Sequence, residues 1–410
     1  MRFFQSKKEV AVAALTMVLQ EAASLFRIRT ITSFVSLDTE DFSGEYPAVR
    51  SKLSDAAKFL STAKDYMEKE GYTVQTIRIA TNSFGSWYID DSQLDLIASV
   101  LEECKIGFCS LGPADKISEL PICERIISKS KTFSCSANLL PNDATMAREC
   151  AVLVRSLGSV QNGLGNFQFC VAAAASPNIP FFPVAKAVTS ASPSFAIGLE
   201  NGSLAYKLLQ ECGSVDKIPS YFSKSMAAAL LPIQNICHLL SSSHNVDYAG
   251  IDTSLNPSLE DMAPEYPGSV AAAIETIQEV DRFGASGTLA VAAAVTTALQ
   301  SLPGIRHCGY SGIMLPVCED RRLSALSSSL SIPNLLSISH VCGVGVDTVP
   351  VPGDSSVQVL ASLFLDVAGM AHRWNKSLSC RVFPVHGKAE GEITEFDSPY
   401  MVNARVLPLT

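Results

Sequence analysis

Two hydrophobic periods alternate along almost the whole chain. Near-continuous apolar runs begin at Arg27 (RIRTITSFVSL), Thr73 (TVQTIRIA), Ile106 (IGFCSL), Thr132 (TFSCSANLL) and Phe167 (FQFCVAAAA). Five more begin at Ser194 (SFAIGLE), Val246 (VDYAGIDTSL), Gly309 (GYSGIMLPV), Leu335 (LLSISHVCGVGV) and Leu378 (LSCRVFPV). Short apolar runs bounded by turn residues read as strands buried on both faces. Between most of them, residues 47–70, 91–104, 113–128, 142–158, 201–213, 221–243, 266–282, 287–302 and 355–374 carry apolar positions at helical spacing. Strands separated by helices of this length imply parallel pairing through right-handed crossovers.

The expected architecture is therefore α/β: one large barrel of about ten strands. No Pro/Gly/Ser-rich linker or charge run divides the chain, so residues 1–410 are expected to form a single domain. Closure into a barrel leaves no exposed sheet edge. Residues 1–26 are expected to add an N-terminal helical extension, with Val10, Ala13, Ala14 and Met17 on one face. Glu9, Gln20 and Glu21 interrupt its apolar run, which argues against a secretion signal.

Composition narrows the function. Apolar residues make up 47% of the 410 residues and charged residues 17%, enough for a large core. A formal net charge of -9 and the lack of a basic stripe argue against a nucleic-acid partner. No apolar run reaches the roughly 18–20 residues of a membrane span, so no membrane is expected and the cytoplasm is the expected compartment. The 12 cysteines are scattered through apolar segments, as buried reduced thiols are. No CxxC pair exists, and His307-Cys308 lacks further ligands at zinc-site spacing, so no metal is expected.

The candidate chemistry lies where polar residues interrupt apolar runs. Cys342 ends one such run before a Gly343-Val-Gly345 turn, and His340 would share its face on an extended strand. Three readings stay open for this thiol: nucleophile, pocket lining and simple packing. Asp252 and Asp347 each follow an apolar run, and Arg29 and Arg78 each interrupt one. Such groups either pair inside the protein or leave a guanidinium free to hold a substrate carboxylate or phosphate. The segment Phe283-Gly-Ala-Ser286-Gly287-Thr288 reads as a helix cap or an anion cradle. It has neither the lysine of a phosphate-binding loop nor the third glycine of a dinucleotide fingerprint, and no cofactor is expected. The Ala-rich helical stretches at 268–275 and 289–299 are consistent with a homo-oligomer, a dimer or higher.

Several of these segments, taken in order, resemble a known family. They are Arg29-Thr-Ile-Thr32, Asp252-Thr-Ser254-Leu-Asn-Pro257, Phe283–Thr288, Tyr310-Ser311-Gly-Ile-Met-Leu-Pro-Val-Cys-Glu319-Asp320, Cys342-Gly-Val-Gly-Val-Asp347, and Arg381-Val-Phe-Pro384 with Gly387-Lys388. The succession is similar to that of the uncharacterised ancient conserved region family, domain of unknown function 711, across about residues 25–400. That resemblance implies a ten-stranded barrel like that of pyruvate formate-lyase, with loops directed inward. It does not imply radical chemistry, because the C-terminal glycyl-radical element is absent between Arg381 and Thr410. Relatives tend to carry histidines where this chain has Ser286 and the segment IPFFPVAKAV after Asn178. Ser254, Ser286, Gly287, Thr288, Ser311, Glu319 and Arg381 thereby join Arg29 and Arg78 as candidate substrate contacts, with Cys342, Asp347 and Asp252 as candidate catalytic groups. The expected function is a non-radical lyase, isomerase or hydrolase acting on a polar or anionic small molecule. The alternative is a catalytically silent metabolite-binding protein on the same scaffold.

Overall fold

The computed structural model describes residues 22–45 and 47–409. Most of the expected N-terminal helical extension therefore lies outside the described residues; residues 22–24 are helical and lead directly into the first strand. Nine strands follow: β1 (Arg27–Val35), β2 (Val74–Thr81), β3 (Cys109–Ala114), β4 (Phe133–Asn138), β5 (Phe169–Ala173), β6 (Ser194–Glu200), β7 (Asp247–Asp252), β8 (Gly345–Pro352) and β9 (Leu378–Val385). Around them are α1 (Ala48–Lys69), α2 (Asp91–Glu103), α3 (Leu120–Lys129), α4 (Ala144–Leu157), α5 (Gly202–Cys212), α6 (Ser223–His244), α7 (Val270–Ile274), α8 (Thr288–Leu299), α9 (Arg321–Leu326), α10 (Ile332–Cys342) and α11 (Val357–Trp374).

The strands form one sheet in the order β7-β6-β1-β2-β3-β4-β5-β9-β8. Pairing is parallel except at β1–β6 and β5–β9, so the expectation of an all-parallel sheet is corrected to a mixed one. Both exceptions pair strands that are not consecutive in the chain: β6 follows the irregular connection 174–193 and meets β1, and β9, joined in parallel to β8 through α11, meets β5. The expected count of ten strands is also corrected. The run from Leu335 is a helix up to Cys342, and the ladder strand starts only at Gly345. The run from Gly309 is irregular.

That irregular run sits between the two outer strands. No ladder joins β7 to β8, so strand-to-strand hydrogen bonds do not close the sheet. Residues 306–318 nevertheless bond to both: Cys308 N donates to Ile251 O at 2.9 Å, Leu255 N to Gly312 O at 2.8 Å, and Val317 N to Asp347 O at 3.2 Å. Asp252 fixes the β7 side of this segment. Its fully buried carboxylate accepts from Tyr310 N (2.9 Å), Ser311 N (3.0 Å), Ser254 N (3.0 Å) and Ser254 Oγ (2.6 Å). Glycine is required at 309, where φ is +67° and a Cβ would overlap the Asp252 carboxylate.

One face of the sheet carries the main core against the helices, where Ile28, Ile31, Ile79, Phe133 and Phe169 meet residues such as Leu53, Leu60, Ile97 and Ile126. The other face is covered by loop 174–188 together with 310–314, through a smaller cluster of Cys170, Phe181, Val184, Tyr310, Met314 and Val344. Hydroxyls on the strands tie this loop down: Thr32 Oγ1 donates to Pro180 O (2.8 Å) and Ser110 Oγ to Ala185 O (2.7 Å). A sheet apolar on both faces is thus covered by helices on one side and by chain segments on the other.

Local signals set the starts of several helices. Asp90 and Gln93 form a capping box on α2, Asp143 caps α4 and Ser356 caps α11. On α10, Ser331 and Asn334 form a capping box, Pro333 lies in the first turn, and Gly343 ends the helix in the left-handed region. Its buried positions Leu335, Ile338, Ser339 and Cys342 follow the helical period. The expected helix at 266–282 shrinks to α7, and that at 113–128 begins only at Leu120 after β3 and a short 3-10 turn.

Candidate functional site

Between the inner face of the sheet and its covering segments lies a cavity of about 770 Å³. That is within the usual size of small-molecule sites. Polar residues of β1, β2, β4, β6, β8 and β9 reach it, together with Tyr310, Pro316 and Glu319 of the irregular segment and Tyr400 near the C-terminus. Of the residues nominated from the sequence, Arg29, Arg78, Glu319, Asp347 and Arg381 line this cavity, whereas Asp252 does not.

These groups are not equivalent. Arg381, buried on β9, donates Nε to Asp347 Oδ1 at 2.6 Å, Nη2 to Glu319 Oε1 at 3.0 Å and Nη1 to Phe167 O at 3.1 Å. Burial alone would lower this guanidinium's pKa, but the two carboxylates hold it above its ordinary value. Burial pushes the Glu319 carboxyl up; Arg381 opposes the rise and Asp347 adds to it. One cation here serves two acids. Arg29 is paired as well, through Gln75 Oε1 (2.6 Å) and Glu200 Oε2 (3.0 Å), and Glu200 also holds Arg27.

Arg78 differs. It is buried on β2, and its Nε donates to Thr76 Oγ1 at 2.9 Å. Among the described residues no carboxylate pairs with it. The guanidinium carbon lies 5.1 Å from the Phe108 ring centroid and 5.2 Å from that of Phe182, so aromatic rings cover the group. Of the five N–H donors of an arginine, the four on the terminal nitrogens have no protein acceptor among the described residues. Burial, then the like charges of Arg29 and Arg381, lower its pKa to about 9, which leaves it cationic at neutral pH. Nearby, the buried Ser134 hydroxyl on β4 has no partner among the described residues, and the Tyr310 hydroxyl donates to Ser379 Oγ at 2.9 Å.

The other nominated residues lie elsewhere. Cys342 does not line the cavity. It is the last residue of α10, fully buried, with its thiol 3.4 Å from Ile313 O and its pKa raised by burial. The expected same-face pairing with His340 is corrected, because two residues on a helix point about 200° apart. His340 instead packs its ring against Trp374 at 5.3 Å. Asp252, Ser254 and Ser311 form the latch between β7 and the irregular segment, outside the cavity wall. Burial raises the Asp252 pKa against the hydrogen bonds from Ser254, Tyr310 and Ser311. Ser286 is exposed, Gly287 with φ +96° starts α8, and Thr288 Oγ1 accepts from Gly284 N at 3.1 Å. These last three make an ordinary helix start rather than a cavity wall.

Sequence reasoning missed Ser134, Ser379 and Tyr310, although the first two interrupt apolar strands in the way Arg78 does. Phe108 and Phe182 were not legible as a pair, because their meeting depends on how loop 174–188 folds back. Among the described residues no group of three or more His, Cys, Asp or Glu is arranged to hold a metal ion, and no helix is long and apolar enough to cross a membrane.

Comparison with known proteins places the chain in a family. The model of the uncharacterised ACR family DUF711 matches residues 17–397, and the chain belongs to that family. It is 26% identical over 407 residues to a UPF0210 protein of Lactiplantibacillus plantarum, covering 90% of this chain and 88% of the relative. A UPF0210 protein of Clostridium botulinum is 25% identical over 407 residues, with the same coverage. One from Ligilactobacillus salivarius is 34% identical over 158 residues, 37% of this chain and 34% of the relative.

Proposed function

We propose that this member of the uncharacterised ACR family is an enzyme of small-molecule metabolism that holds an anionic substrate on Arg78 and moves a proton through Glu319. The observation that carries this reading is a buried guanidinium with an unused fork of donors opening on a cavity. Leaving a buried cation unpaired is costly, so a site that keeps one is suited to an anion supplied from outside. The rings of Phe108 and Phe182 cover the group and leave its in-plane N–H groups for a bidentate carboxylate or phosphate. Glu319 supplies a carboxyl whose proton affinity burial has increased, the property a general acid or base needs near neutral pH. Asp347 and Arg381 position it. In this reading residues 306–318 act as an irregular tenth member of the ring between β7 and β8.

The test is anion binding. Monocarboxylates and phosphomonoesters are screened by calorimetry against the wild type and Arg78→Lys. The lysine keeps the charge but loses the fork, and binding is expected to weaken by about 10- to 100-fold. Equal affinity in the two proteins would refute the assignment of Arg78.

A further inference from the structure

Arg78 and the Glu319–Asp347–Arg381 cluster share one cavity, and each carries an uncompensated charge. The cluster has two carboxylates for one guanidinium, and Arg78 has a guanidinium for none. No hydrogen bond joins Arg78 to either acid, so their charges offset each other only through space. This is an arrangement in which loading one group changes the other.

We infer that anion binding at Arg78 is coupled to uptake of a proton by Glu319, so that the substrate's arrival arms the acid that acts on it. The inference rests on the proposed function and adds a ligand class to it: a singly charged anion whose charge is matched by one incoming proton. An anion on Arg78 cancels a buried guanidinium with which no carboxylate pairs among the described residues. The inner cavity is then left with a net negative charge in a poorly solvated space, which a carboxylate relieves by protonating. Glu319 is the acceptor rather than Asp347, because Asp347 receives the shorter bond from Arg381, 2.6 Å against 3.0 Å.

Charged and titratable groups reach this cavity from every element around Glu319. They are Arg381 on β9, Asp347 on β8, Arg27 and Arg29 on β1, Arg78 on β2, Glu200 on β6, the exposed Lys131 before β4, Glu260 and Tyr310 from the segments after β7, Arg321 at the start of α9, and Asp397 and Tyr400 from the C-terminal segment. Arg29 is tied to Glu200 and Arg381 to its two acids. Arg321 is exposed, so solvent weakens its hold on Glu319. Among the buried arginines here, that leaves Arg78 as the one whose charge a ligand can cancel. By reciprocity, a ligand that raises the proton affinity of Glu319 is itself bound more tightly when Glu319 is protonated.

The coupling can be tested without knowing the ligand. Arg78→Gln removes the charge permanently, as a bound anion would cancel it. Infrared difference spectra follow the carbonyl band of a protonated carboxylic acid as pH is raised. The band assigned to Glu319 by its loss in Glu319→Gln is expected to titrate at a proton concentration at least ~10-fold lower, one pH unit higher, in Arg78→Gln than in the wild type. It should be absent from Arg78→Gln/Glu319→Gln. Arg78→Met repeats the measurement with an unbranched apolar chain in case the glutamine variant fails to fold. An unshifted midpoint in a folded variant, or a band that persists in the double variant, overturns the coupling. Neither result touches the affinity comparison with Arg78→Lys, so the two readings fail separately.

Discussion

Arg381→Met removes the one cation shared by Asp347 and Glu319 while keeping a long apolar side chain on β9. The wild-type Arg381 side chain is 8% exposed, and each carboxylate side chain 17%. Solvent therefore screens the cluster only in part. Removing one partner of a buried ion pair typically costs about 3–5 kcal/mol, because the other charge is left without compensation. Proton uptake sets a ceiling on this cost. At pH 7, protonating one glutamate of ordinary pKa, about 4.3, costs about 3.7 kcal/mol at 1.36 kcal/mol per pKa unit. The expected loss is thus about 3–4 kcal/mol at pH 7.

The sign of the pH dependence follows. In the variant, folding raises the carboxyl pKa further, so the native state binds more protons than the unfolded chain above the ordinary glutamate range. Stability then falls as pH rises through that window and recovers toward acid. Urea unfolding at pH 5 and pH 8, followed by fluorescence and circular dichroism, measures it. The deficit relative to wild type should be larger at pH 8, and Arg381→Met/Glu319→Gln should regain most of it. A deficit independent of pH, or one that Glu319→Gln does not reduce, would show that Arg381 matters for packing and not for charge.

Two further outcomes are expected elsewhere in the molecule. Asp252→Ala leaves three buried backbone N–H groups and a hydroxyl without their acceptor and should cost about 3–5 kcal/mol in urea unfolding; a change under about 1 kcal/mol would rule out the latch. Cys342→Ala should leave anion binding unchanged. It should also leave unchanged the fast phase of thiol titration, since only Cys104 and Cys308 are partly accessible. Loss of a fast-reacting thiol would instead make Cys342 the reactive group.

How much was legible beforehand depends on the range of each interaction. The sequence by itself determined the α/β class, eight of the strands and the presence of buried charges, because apolar periodicity and a polar residue inside an apolar run are local properties of the chain. It misplaced Cys342 because an apolar run buried all round reads alike as strand or helix, and the Ser331 cap and Pro333 that decide the matter lie upstream of the run. Only the tertiary structure decided which arginine is left without a partner. Arg29 and Arg78 look the same in sequence, but Glu200 arrives beside Arg29 from a strand 171 residues away, and Phe182 arrives beside Arg78 from a loop on the inner face. Charge pairing at such separations is fixed by sheet order and loop path, which no local pattern encodes.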